Sequence, residues 1–119
     1  MSGCLMAGTL AIALSGPAFT LHWTHSVEKV EWVEDWRVEP GGLRLTGAQV
    51  KGSGAGMEPG EGATLQDGWW IWAADRRVDR LDLAASGATG AGWRLCDGAE
   101  CRELGAGAGE PVVLAPCSP

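Results

Sequence analysis

The sequence predicts an all-β fold, a small antiparallel β-sandwich or partly open barrel of about eight or nine short strands. Three observations carry this expectation. Apolar and polar residues alternate at period two, as in Val30-Glu31-Trp32 and Trp36-Arg37-Val38. Glycine occupies 19 of 119 positions, about twice its ordinary share of ~7%, which implies tight turns and glycine-rich loops. No stretch repeats apolar residues at helical spacing over the length of a helix.

Taken in order, residues 10–14 and 18–23 read as two strands about the turn Ser15-Gly16-Pro17. In the second, Phe19, Leu21, Trp23, His25 and Val27 share one face, with Thr20, His22, Thr24 and Ser26 on the other. The odd positions read as the inward face. The next strand changes parity: Val30, Trp32, Trp36 and Val38 are apolar at even positions, which places a turn or bulge near 26–29. Pro40 has no N–H to give a ladder, so Pro40-Gly41-Gly42 closes that strand. Residues 43–50 form another strand, and 52–62 a glycine-rich loop. Residues 69–74 and 78–83 read as two strands separated by Asp75-Arg76-Arg77. Residues 93–96 and 101–104 flank Asp97-Gly98-Ala99-Glu100 as a hairpin, and 111–115 is the last strand.

One β-domain spanning 1–119 fits this length, and a chain of this size can bury roughly two thirds of its unfolded surface. Seven tryptophans, one phenylalanine and no tyrosine make indole the main source of large buried area. The formal net charge is −6, and Arg76-Arg77 is the only adjacent basic pair. Phosphate backbones need clustered cations, so nucleic acid is not an expected partner, and an anionic membrane surface is disfavoured for the same reason. No run reaches the ~18 apolar residues of a membrane span, so no transmembrane segment is expected. The apolar start lacks a basic n-region, the first base being Lys29, which points to a cytoplasmic location and keeps these residues in the fold.

The densest polar motif is Trp23-Thr24-His25-Ser26-Val27-Glu28-Lys29, followed by Glu34-Asp35. A metal site built from His22, His25 and Glu28 fails on a strand, because His25 faces away from the other two. No metal or cofactor is expected. A triad of His25, Ser26 and Glu28 fails likewise, since neighbouring residues on a strand point to opposite faces. No enzymatic activity is expected. Parity instead sets His25 inward on its strand, and Glu34 interrupts the inward face of the next. A buried ionisable group needs a partner, so one reading is a half-buried His25–Glu34 pair that fixes strand register or lines a small pocket; the other is that both residues sit in water at a sheet edge. Trp70 and Trp72 share a face opposite Trp69, and core packing explains them better than a stacking platform.

Four cysteines allow three pairings. Cys96 and Cys101 flank the hairpin turn and suit a local disulfide; Cys4 and Cys117 would staple the two ends. A missing export signal favours thiols and this placement favours disulfides, so both states stay open.

The block from Trp23 to Lys29, with Glu34 downstream and Gly54-Ala55-Gly56-Met57 later, resembles the family called domain of unknown function 1850. The resemblance is good over residues 19–60 and looser beyond. It implies a bacterial accessory or interaction protein encoded beside TAXI-type TRAP transporters, whose partner is the membrane subunit or the periplasmic binding protein. It carries no enzymatic activity, and it implies a periplasmic or membrane-associated place. On this resemblance His25, Ser26, Glu28, Lys29, Glu34, Gly54 and Gly56 form the candidate interaction surface. An alternative is a β-domain binding a small organic anion through the His25–Glu34 region and the amides of the loop at Gly54.

Overall fold

Alternating residues need a sheet on which to bury one face, and two sheets meet that need here. The computed structural model describes residues 3–24, 31–51, 62–83, 93–98, 100–104 and 112–117. Eleven strands lie among them: β1 (Cys4–Ala7), β2 (Leu10–Ala13), β3 (Ala18–Thr24), β4 (Glu31–Glu39), β5 (Gly42–Lys51), β6 (Thr64–Gln66), β7 (Trp69–Val78), β8 (Leu81–Leu83), β9 (Trp93–Cys96), β10 (Cys101–Leu104) and β11 (Val112–Pro116). One sheet has the order β2-β1-β11-β8 and the other β10-β9-β3-β4-β5-β7-β6. All neighbours run antiparallel. The sheets pack face to face as a sandwich and do not close into a barrel.

The core between them is aliphatic with two aromatic members. Leu5, Ala7, Ile12, Leu83 and Leu114 from the small sheet meet Phe19, Leu21, Trp36, Leu43, Leu95 and Leu104 from the large one. Burying each such side chain contributes roughly 1.5–3 kcal/mol. In β3 the odd positions do face inward: Phe19 and Leu21 are buried, and Trp23 is half-buried. In β4 the even positions share that face, because Trp32, Glu34 and Trp36 oppose Trp23, Leu21 and Phe19 in register.

Several expectations are corrected. β2 and β3 do not pair as a hairpin; Ser15-Gly16-Pro17 is a corner where the chain passes from one sheet to the other. Asp75-Arg76-Arg77 does not separate a pair of strands but lies inside β7, which runs unbroken to Val78. The charges are compatible with a strand because they pair sideways: Glu39 bridges Arg44 and Arg77, and Arg44 also reaches Asp75. β1 and β6 are additions to the expected strands. The bulge expected at 26–29 lies outside the described residues. One irregularity is seen in β5, where Thr46 is the extra residue between Leu45 and Gly47 opposite β4. The connection from β6 to β7 turns through Asp67 and Gly68, both at positive φ (52° and 86°), a conformation that Asp-Gly accepts at little cost.

Both expected cysteine pairs are bonded. Cys96–Cys101 links directly opposed residues of β9 and β10 with Cα atoms 4.1 Å apart. Cys4–Cys117 joins the ends of β1 and β11 at a Cα separation of 5.4 Å.

Candidate functional site

Of the seven candidate interaction residues, Glu34 is the one within the described residues of the chain. His25, Ser26, Glu28, Lys29, Gly54 and Gly56 lie outside them, and so does the candidate His25–Glu34 pair. Glu34 itself takes the inward position that parity assigns to it, between Leu21 of β3 and Ala48 of β5. The flanking even positions on its own strand are Trp32 and Trp36. The Trp36 Nε1–H donates to Glu34 Oε1 at 3.1 Å. Burial pushes the Glu34 carboxyl above the usual carboxylate range, and the Trp36 hydrogen bond opposes that rise without cancelling it.

Around Glu34 the sheet is lined with indoles. Trp23 stacks on Trp32 with ring centroids 5.6 Å apart, and Trp93 lies tilted against Trp23 at 5.5 Å. Trp72 meets Trp32 edge-on at 5.7 Å. These contacts follow from register: Trp23 opposes Trp32, Trp32 opposes Val50, and Trp72 opposes Ala48. Val50 and Ala48 are buried but stand apart from the main core cluster, so the indoles form a second apolar layer on the same face. Trp69 takes the opposite face, as alternation requires, with the Lys51 Nζ 5.7 Å from its ring centroid.

His22 lies on the outer face. Its Nε2 is 3.0 Å from Thr20 Oγ1 and its Nδ1 is 3.9 Å from Glu31 Oε2. Burial, aided by Arg94, lowers its pKa, while Glu31 and Asp35 pull the other way. Among the described residues no three His, Cys, Asp or Glu side chains converge as metal ligands. An indole N–H only donates, so the Glu34–Trp36 pair has no group to relay a proton.

The sequence profile of one family matches residues 19–104. That is 86 of 119 residues, from the first inward residue of β3 to the last residue of β10. The chain belongs to the domain of unknown function 1850 (DUF1850) family. The match spans nearly the whole of the seven-stranded sheet, including Glu34 and the four contacting indoles, and stops short of β1, β2 and β11. No curated protein and no solved structure matches the chain.

For this DUF1850 domain the setting of Glu34 has a measurable consequence. The folded state holds the Glu34 proton more tightly than the unfolded chain does. Its contribution to stability is therefore fully present below the ordinary glutamate value of about 4.3 and is lost as pH rises through the folded value. Glutamine keeps an acceptor for Trp36 and carries no charge. Glu34→Gln is thus expected to match the parent below about pH 4 and to melt higher than it at pH 7–8, where the parent must ionise the carboxyl in its buried setting. Melting curves of both proteins across that range check it; a difference that stays constant with pH would refute the burial effect.

Proposed function

We propose that this chain is a non-enzymatic accessory protein of a TAXI-type TRAP solute transporter. Its partner is the transporter's membrane subunit or its binding protein, and the β3–β4 hairpin is the element that engages it. The family membership supports the setting, through the TRAP association that the Trp23-to-Lys29 block implies. The observation that carries the choice of hairpin is the place of Glu34. It lies three residues beyond Glu31, the partner of Thr24 at the end of β3. A position concerned with packing alone would favour an apolar residue there, as at Leu21 and Ala48 on either side. A carboxyl held where its charge costs stability fits a residue retained for contact with something else. An ionised Glu34 would also repel a carboxylate ligand, so the organic-anion reading is the weaker of the two.

The test is affinity purification of the tagged protein from detergent-solubilised native membranes, with captured proteins identified by mass spectrometry. A TRAP membrane subunit or binding protein is expected among them. Recovery should fall about 10-fold or more in the Glu28→Gln/Glu34→Gln variant, the cost of losing charge-assisted hydrogen bonds. Since Glu34→Gln is expected to be no less stable at neutral pH, such a loss would not reflect unfolding. Reproducible capture of neither protein would sink the proposal.

A further inference from the structure

We propose that the outer face of β3 and β4 carries a binding site for a small zwitterion of the amino-acid class. The face holds a groove of about 540 Å³, within the roughly 300–1,000 Å³ of small-molecule sites. Its floor is the cross-strand pairs Thr20–Asp35 and Ala18–Arg37. Asp35 and Arg37, two apart on one strand, project to the same side about 7 Å from each other. Among the described residues neither the Asp35 carboxylate nor the Arg37 guanidinium has a salt-bridge partner. On the neighbouring strand end, by contrast, Arg44 is fully engaged with Glu39 and Asp75.

Two walls flank this floor. On one side the Ser15 corner is tied to the β9–β10 turn: the Ser15 N–H donates to Asp97 Oδ2 at 3.0 Å, and Ser15 Oγ donates to the Asp97 carbonyl at 2.8 Å. The Cys96–Cys101 disulfide closes that same turn. On the other side the extra residue of β5, Thr46, bends over the floor and donates from Oγ1 to the Asp35 carbonyl at 3.2 Å. Beside it, Gly47 leaves room for the acid, since a Cβ there would come within 3.2 Å of Asp35 Oδ2. The concavity is thus lined by two carboxylates and one guanidinium; both Asp97 oxygens already accept backbone N–H groups, from Ser15 and Glu100, which leaves Asp35 and Arg37 as its open charged ends.

This charge arrangement selects its ligand. A guanidinium takes a carboxylate in two parallel hydrogen bonds, and a carboxylate takes an ammonium. A ligand carrying both groups satisfies both ends of the groove. One with a single charge engages only one end of the groove and gains one charge-assisted pair instead of two, which disfavours it. The site lies on the opposite face from Glu34 and does not depend on the accessory role, so either can fail without the other.

Calorimetric titration of the intact protein with the standard L-amino acids, one at a time, tests the proposal, with acetate and ethylamine as single-charge controls. At least one amino acid is expected to bind saturably, with both controls at least about 10-fold weaker, the equivalent of one charge-assisted pair. Asp35→Asn and Arg37→Gln should each weaken binding by a similar factor. Both side chains are exposed, so the variants should melt with the parent. Lys51→Gln, on the same face outside the groove, should bind as the parent does. Binding by no amino acid, acetate binding as tightly as the best of them, or unchanged affinity in both groove variants would each overturn the site.

Discussion

Replacing Cys4 and Cys117 together with serine is expected to lower the melting temperature by roughly 10 °C in non-reducing buffer. The bond joins residues 113 apart in sequence, and closing a loop of about 100 residues restricts the unfolded chain by up to ~4.7 kcal/mol, with 2–4 kcal/mol typical. At about 2.1 cal/mol/K per residue, each kcal/mol moves the midpoint of a chain this long by about 4 °C. The folded state supplies no counterweight. β1 and β11 are already paired through Leu5 and Pro116, and the Cys117 N–H donates to the Cys4 carbonyl at 3.1 Å. The serine pair should therefore leave the native contacts in place and release the unfolded chain. The Cys96–Cys101 bond spans 5 residues, for which the same relation gives about half the effect. Circular-dichroism melts of the two serine pairs decide the matter. Equal melting temperatures for the parent and the Cys4/Cys117 variant would refute the chain-restriction account.

Leu21→Ala is expected to cost about 2–5 kcal/mol, the range for emptying a buried leucine site that cannot collapse. Leu21 is 0% exposed and sits in register between Leu95 of β9 and Glu34 of β4. It is therefore held by strands on both sides and belongs to the main core. The substitution should also move a second observable. Space opened beside Glu34 admits water, which relieves the burial that raises its pKa, and the carboxyl should titrate closer to the ordinary range. Urea denaturation measures the first effect, and the pH dependence of stability the second. Leu65→Ala serves as the comparison, because Leu65 is 57% exposed on the edge strand β6, and surface changes of this kind lie within about ±0.5 kcal/mol. A Leu21→Ala variant no less stable than Leu65→Ala would mean that the sheets do not pack as described.

Where periodicity is strong, the fold is legible from residue order. The alternation in β3 and β4 identifies their inward faces and puts Glu34 among apolar neighbours. The Asp97-Gly98 turn signal locates β9 and β10, and with them the Cys96–Cys101 pair. Other features depend on partners that no local pattern shows. β6 is three exposed residues that become a strand by pairing with Trp69, Trp70 and Ile71 of β7. The charged run in β7 resembles a turn because the acids that balance it, Glu39 above all, lie on another strand. β1 is a short apolar tetrapeptide with no alternation to mark it as a strand, and it becomes one through β2 and β11. The outer groove is hidden for the same reason. Its walls meet through Ser15 and Asp97, 82 residues apart, and its rim is a bulge at Thr46 that propensity does not mark.

The way the two sheets draw on the chain also sets an order of assembly. Strands β3, β4 and β5 follow one another as neighbours, so most of the large sheet can form from short-range hairpins. The small sheet cannot be completed that way: β1 and β2 pair as a local hairpin, but β11, the last of these strands to leave the ribosome, is needed to join β1 to β8. A nascent chain lacking β11 would hold a seven-stranded sheet with only the β1–β2 hairpin available to cover its inner face. Loop-closure entropy makes such end-to-end pairing slow. During synthesis, this protein's period of greatest exposure to aggregation is thus the interval before β11 arrives.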